Sequence, residues 1–209
     1  CVVEMGARNI GDIAKLTEIA KPNVAVVLKV GSAHLGEFGS RENIAIAKGE
    51  IVIGLTPKDF AVLGSYDEFT PKMAMTTYAK VLSFGESNKS DIRAADVEYR
   101  EGYAHFDLVT PQGREAVGLR ILGMHQVANA LAAAAAATAL NVPIEVIASA
   151  LSTAEVTSKW RMELKDINGL LIINDAYNAN PESMLAALRT LALLSQERGG
   201  RSWAFLGTM

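Results

Sequence analysis

With 209 residues, half of them hydrophobic and 21% charged, the chain is long enough to bury the core of one or two domains and too apolar for a disordered tract. A formal net charge of -3 and a pI near 5.7 leave no basic stripe to neutralise a phosphate backbone, so nucleic acid is not an expected partner. The single cysteine, Cys1, excludes an internal disulfide framework and a thiolate metal cluster and fits a reducing compartment, the cytoplasm. No run reaches the roughly 18 apolar residues of a membrane span, and no basic-then-apolar signal opens the chain.

Residues 1–55 alternate short β-rich runs with helical patterns: a strand over 2–5, a helix near 10–20, a strand over 24–30 and a helix around 44–55. This is the grammar of a mostly parallel sheet with crossover helices, an α/β fold. Residues 60–122 change character, with short alternating runs at 80–84, 96–100, 105–110 and 115–119 separated by Gly85, Gly102 and Pro111-Gln112-Gly113. They read as a β-rich antiparallel subdomain. Helical pattern returns at 125–140, where seven of the first eight residues from Ala130 are Leu-interrupted alanines suited to close packing, and again at 144–151 after the Asn141-Val142-Pro143 stop.

From about 153 to 159 the sequence is polar and aperiodic, which marks a domain boundary: 1–153 form one unit and 154–209 the start of another. In the second unit, runs at 162–165, 170–174 and 202–206 around a helix over 181–197 suggest a β-α-β unit of Rossmann-like type. Pro181 suits the helix's first turn and Glu182 its dipole. The chain opens in a strand-like run without an initiator Met and stops just past an apolar run, as an internal piece of a longer protein would.

Five features could carry chemistry. Glu4 follows an apolar run, where a carboxylate at a strand's carboxyl end can face a metal or phosphate, although a strand-end Glu can equally cap the next helix. His34 lies in Gly31-Ser32-Ala33-His34-Leu35-Gly36-Glu37-Phe38-Gly39-Ser40, a glycine-containing loop in which backbone can approach a ligand and imidazole can ligate a metal or meet phosphate. Lys48 stands on the following helix as an ordinary exposed lysine or, with its amine neutral, as a nucleophile toward carbon dioxide. The resulting carbamate is a hard oxygen ligand suited to magnesium.

Gln126 and Asn129 share a helix face, and two neighbouring amides can read the edge of a base or simply cap a helix. Arg161, just beyond the boundary, could close a guanidinium onto phosphate oxygens or pair with Glu163. Asp175 ends an apolar run and opens the polar string Asp-Ala-Tyr-Asn-Ala-Asn-Pro at 175–181.

Taken in order, Glu-Met-Gly-Ala at 4–7, the 31–40 loop, Ala-Lys-Gly-Glu at 47–50, the run from His125 to Ala134, Arg161-Met162-Glu163 and the 175–181 string resemble the Mur ligases over nearly the whole chain. The last string resembles the members that add D-alanyl-D-alanine to UDP-N-acetylmuramoyl-tripeptide, which would be the partners here, with the protein a monomer. The resemblance implies three domains, of which 1–153 would be most of the central ATPase domain and 154–209 the start of the C-terminal one. It assigns Glu4, His34 and a carbamylated Lys48 to magnesium, Gln126 and Asn129 to the adenine of ATP, Arg161 to the terminal phosphate and Asp175 to nucleotide placement. Lys48, His34 and Arg161 would be the catalytic set, with Tyr177, Asn178 and Asn180 on the substrate.

Three positions depart from the family pattern: Gln126 and Lys29, where Asn is common, and Thr208, where an acid is usual. No Gly-x-x-x-x-Gly-Lys-Ser/Thr loop occurs, so the phosphate-cradling loop is expected upstream of Cys1 and the piece alone is expected not to ligate. A related ligase such as a folylpolyglutamate synthase, or a non-catalytic nucleotide-binding relative, are the alternatives.

Overall fold

The computed structural model describes residues 1–32, 35–156 and 158–207. Among them, six strands form one sheet in chain order: β1 (Val24–Val27), β2 (Phe60–Gly64), β3 (Lys80–Gly85), β4 (Ile92–Arg100), β5 (Tyr103–Thr110) and β6 (Gly113–Leu122). The pairs from β1 to β4 are parallel and those from β4 to β6 antiparallel. The antiparallel character read over 60–122 therefore begins only at β4, because β2 and β3 join the parallel half. The β3–β4 ladder is short, pairing only Phe84 with Ile92 and Gly85 with Arg93.

Helices cover both faces. On one, α3 (Arg41–Ile53), preceded by the single turn α2 (Leu35–Phe38), covers Ala25, Val27, Ile44, Val52, Ala61 and Leu63, and α1 (Asp12–Ala20) packs against α3. On the other, α4 (Gln126–Ala139) and α5 (Ile144–Thr153) lie over Val62, Phe84, Ile92, Leu108, Val127 and Leu131. Successive residues of β2 thus serve opposite cores, as a central parallel strand must. The alanines of α4 explain its fit: Ala134 and Ala135 are wholly buried, and side chains of one carbon let the helix settle close on the sheet. No helix of the described residues is long and apolar enough to cross a membrane.

A buried carboxylate ties α1 to α3. Glu50 accepts the backbone N–H of Gly11 at 2.6 Å and that of Ala14 at 2.9 Å, so two of the donors that a helix start leaves without partners are satisfied from another helix. Removing that carboxylate would strand both donors at about 1–3 kcal/mol each. Ser40 starts α3 by accepting from Asn43 N at 3.2 Å, which moves that helix's beginning ahead of the expected residue 44.

Beyond α5, β7 (Glu163–Ile167) and β8 (Leu170–Asn174) pair as an antiparallel hairpin and α6 (Pro181–Arg198) follows. Leu122 at the end of β6 packs with Met162 and Leu194, joining this unit to the larger sheet. Two expected strands do not form. Residues 2–5 have no neighbouring strand among the described residues, and Val2 is fully exposed. Residues 202–206 likewise pair with nothing described, and Phe205 stays 96% exposed beside an apolar hollow of about 1610 Å³ against β8 and α6. The β-α-β unit is correspondingly a β-hairpin followed by a helix, because an apolar run becomes a strand only where a ladder partner satisfies its backbone.

Candidate functional site

Strands β1, β2 and β3 end at one edge of the sheet, and β6, running the same way, delivers the start of α4 to that edge. This is where ligands gather in open α/β sheets. The turn after β1 is fixed by Asp67, which follows β2: its carboxylate accepts Val30 N at 2.9 Å, Phe69 N at 2.7 Å, Thr70 N at 2.8 Å and the Thr70 hydroxyl at 2.6 Å. Arg41 donates to the carbonyl of Val30 at 3.1 Å from the other side. The backbone from Leu28 to Ser32 is therefore held on a rigid support rather than hung as a free loop.

At the start of α4, Asn129 donates to the Oε1 of Gln126 at 2.9 Å, and the Gln126 Nε2 lies 3.1 Å from His125 Nε2. The two amides expected to act together are thus in contact, and one amide hydrogen bond already orients the pair. His125 keeps an exposed edge, yet the protein crowds the ring enough to push its pKa below the ordinary imidazole value. Desolvation is the main cause; the carboxylate of Asp175 works against it and the ammonium of Lys29 with it. Asp175 and Lys29 therefore both lie within electrostatic reach of His125, although they are far apart in sequence.

The C-terminal residues form a connected strip. Asp175 accepts Met162 N at 3.0 Å, fastening the end of β8 to the start of β7. Tyr177 N donates to the carbonyl of Trp160 at 3.0 Å, and the Arg161 guanidinium stacks over the Tyr177 ring at 4.0 Å. Arg161 does not pair with Glu163, whose carboxylate meets Lys165 at 3.2 Å; stacking engages the face of the guanidinium and not its in-plane donors. Asn178 folds on itself, accepting Ala179 N at 2.9 Å. Asn180 caps α6, accepting Ser183 N at 2.9 Å while the Ser183 hydroxyl accepts the Asn180 N–H at 3.0 Å. Its side-chain oxygen gives one lone pair to the helix, so the amide nitrogen and the second lone pair are what it can offer a ligand.

Glu182, in the first turn of α6, crosses to the turn after β1. Its carboxylate meets Lys29 Nζ at 2.6 Å and accepts Ser32 N at 2.8 Å and the Ser32 hydroxyl at 3.0 Å. The Lys29 hydrogen bond, followed by the Ser32 amide, lowers its pKa from 4.5 to about 2. A depressed carboxylate pKa means the contact contributes above the ordinary value near 4.5 and is lost as the pH falls toward 2. Amide hydrogen exchange at Ser32 should accelerate over that window beyond its intrinsic rate, and Glu182→Gln should remove the dependence. Lys29, Ser32 and Glu182 were not legible as a set, since Glu182 reads from sequence only as a helix-dipole residue.

The other expected residues are not brought together. Lys48 lies on the exposed face of α3 with no hydrogen bond or ion pair among the described residues, so burial does not prepare its amine. Glu4 is exposed in the irregular opening segment and is hydrogen-bonded neither to Lys48 nor to the α4 amides, which bond to each other and to His125. His34 and Thr208 lie outside the described residues. Among the described residues no three His, Cys, Asp or Glu side chains are grouped to hold a metal ion. A self-sufficient protein cage is thereby excluded for them, but magnesium seldom uses one, being held by one or two carboxylates, waters and substrate phosphates. Exposed oxygen donors fit that second arrangement.

Comparison with known proteins places these features in context. A family model described as the Mur ligase middle domain matches residues 1–137. A UDP-N-acetylmuramoyl-tripeptide--D-alanyl-D-alanine ligase of Mycobacterium bovis is 42% identical over 212 aligned positions, covering 100% of this chain and 42% of its own length. One of the same name from Bacillus subtilis is 39% identical and 44% covered. Among solved structures, MurF from Acinetobacter baumannii superposes with a TM-score of 0.86 at 40% identity over 91% of this chain and 42% of that one. MurF ligase from Thermotoga maritima in complex with ADP gives 0.77 at 32%, over 90% and 43%. The chain spans about two fifths of the length of these relatives.

Proposed function

Because the chain belongs to the Mur ligase family through its middle domain, we propose that the protein carrying it is an ATP-dependent ligase joining D-alanyl-D-alanine to UDP-N-acetylmuramoyl-tripeptide, in the cytoplasm, for peptidoglycan precursor synthesis. The observation that carries this reading is the extent of the likeness: relatives bearing that name align along the whole chain, including the 175–181 string beyond the matched domain. Residues 1–153 are then the central domain and 154–209 the beginning of the C-terminal one. The end of α5 at Thr153 and the separate β7–β8 sheet support that division.

In this reading the tripeptide carboxylate attacks the γ-phosphorus of ATP, the bond to the bridging oxygen breaks, and ADP leaves. The amine of D-alanyl-D-alanine then attacks the acyl carbon of the acyl phosphate. The tetrahedral intermediate collapses to the amide with loss of phosphate and a proton. Little covalent chemistry falls to the protein, whose task is positioning and charge stabilisation.

Gln126 and Asn129, already oriented on each other, meet the adenine edge. Arg161, flattened against Tyr177, presents its in-plane donors to the terminal phosphate, and Asp175 fixes the backbone that carries it through Met162 N. Tyr177, Asn178 and Asn180 border the substrate. Glu4, His34 and Lys48, the last as its carbamate, would hold magnesium, which when bound offsets phosphate charge.

The test is amine specificity in the full-length protein. With ATP and UDP-N-acetylmuramoyl-tripeptide, ADP release should depend on D-alanyl-D-alanine and the product should gain the dipeptide's mass. ADP release that ignores this dipeptide, or that answers to another amine instead, overturns the assignment.

A further inference from the structure

Three donors converge on one carboxylate where β1 ends. The Ser32 N–H and hydroxyl donate to one oxygen of Glu182 at 2.8 and 3.0 Å, and the Lys29 ammonium meets the other at 2.6 Å. Gly31 makes the approach possible, since a Cβ there would lie 2.9 and 3.1 Å from the two carboxylate oxygens. Asp67 and Arg41 hold the turn from behind through Val30, so its donors point at the carboxylate without help from it. Charge-assisted bonds of this kind select planar or tetrahedral oxyanions and suit carboxylate and phosphate alike.

The site is open. The Lys29 and Glu182 side chains remain 48% and 39% exposed, so a ligand can reach the donors and the glutamate can swing away. α6 does not depend on Glu182 for its place: the Asn180–Ser183 capping box closes its start, and Leu194 anchors its far end against Leu122 and Met162. A part-exposed side chain at the head of an independently anchored helix is the geometry of a removable occupant, where a structural tie would be buried.

We propose that Lys29, Gly31 and Ser32 form an oxyanion-binding cradle for a carboxylate or phosphate group of the substrates, and that Glu182 is its internal occupant, competing with that group. Only the identity of the ligand rests on the ligase reading; the cradle and its occupant do not. An anion entering the cradle thereby displaces only the Glu182 side chain from the turn after β1, while α6 keeps its own anchors.

The experiment measures dissociation constants of inorganic phosphate and, separately, acetate by calorimetry on the full-length protein, without ATP or amine. Glu182→Gln keeps the side chain's size and removes its charge; it should tighten at least one probe about tenfold, with Glu182→Asp falling between it and wild type. Lys29→Gln added to Glu182→Gln should abolish the gain, which separates this cradle from any other anion site. Tightening for phosphate assigns the cradle to a phosphoryl group, and tightening for acetate to a carboxylate. Unchanged or weaker binding of both probes in Glu182→Gln, or a gain that survives Lys29→Gln, overturns the proposal. Failure of D-alanyl-D-alanine-dependent ligation would leave these constants untouched, so the two ideas fall separately.

Discussion

Lys48→Ala should leave folding intact and stop ligation. The side chain is exposed on α3 and has no partner among the described residues, so its removal should change stability by no more than about 0.5 kcal/mol. If the amine becomes a carbamate, its loss takes away an anionic oxygen ligand at the phosphates, and turnover in the full-length protein should fall on the order of a hundredfold or more. In forming that carbamate the neutral amine would attack carbon dioxide and shed a proton, so the side chain would change sign from cation to anion. A small carboxylate such as acetate, added to the alanine variant, should restore part of the rate, whereas an alkylamine should not. Steady-state kinetics beside a thermal melt separate the outcomes, and turnover within a factor of two of wild type would remove Lys48 from the mechanism.

Gly64→Ala makes the opposite prediction, a collapse of stability at a position that touches no ligand. Gly64 ends β2 between β1 and β3, and a Cβ there would lie 2.0 Å from the Leu28 carbonyl oxygen and 3.1 Å from the Phe84 ring. The first neighbour is backbone and cannot rotate away. Either the strands part or Leu28 shifts, and with it the turn that presents Lys29 and Ser32. A loss of about 3 kcal/mol is expected, at the upper end of overpacking costs, read as a lowered denaturation midpoint. Gly54→Ala is the control: that glycine caps α3 at a φ of -81°, with nothing within 4 Å of an added Cβ, so the substitution should be neutral or slightly stabilising. Equal melting behaviour of the two variants would mean that the close approach at Gly64 is not rigid.

The pattern of what could be read in advance follows from how far each interaction reaches along the chain. The helices over 126–139 and 181–198 announce themselves through alanine content, Pro181 and Glu182, all local signals, while the Asn180–Ser183 capping pair came only with the structure. The end of α5 at Thr153 is likewise marked locally, by a change from periodic to polar sequence. The runs at 2–5 and 202–206 carry the same β-rich composition as 24–27, yet only the last has a ladder partner, in β2; composition cannot distinguish them. Glu50 was visible only as the end of a four-residue string, because its work, holding α1, is done on backbone N–H groups nearly forty residues earlier.

The site divides along the same line. Gln126 and Asn129 sit three apart on one helix face and were legible as a pair; they touch. Arg161 and Tyr177 were each singled out, but their stacking depends on the hairpin between them, which brings the two ends of β7 and β8 together. The approach of Glu182 to Lys29 spans 153 positions and two sheets, and neither residue's neighbours in sequence hint at it. Lys29 had stood out only as a departure from a family pattern. Its partner in the fold supplies the reason a cation is useful there.

Transfer of oxygen bears most directly on the central claim that this chain serves an ATP-dependent amide ligase. The full-length protein would be given ATP, D-alanyl-D-alanine and UDP-N-acetylmuramoyl-tripeptide labelled with oxygen-18 in the reacting carboxylate, and the released phosphate analysed by mass. The account predicts one labelled oxygen in each phosphate, matched by one new amide bond, because the carboxylate oxygen that attacks phosphorus leaves with it. Phosphate carrying no label, with ATP consumed all the same, would contradict it.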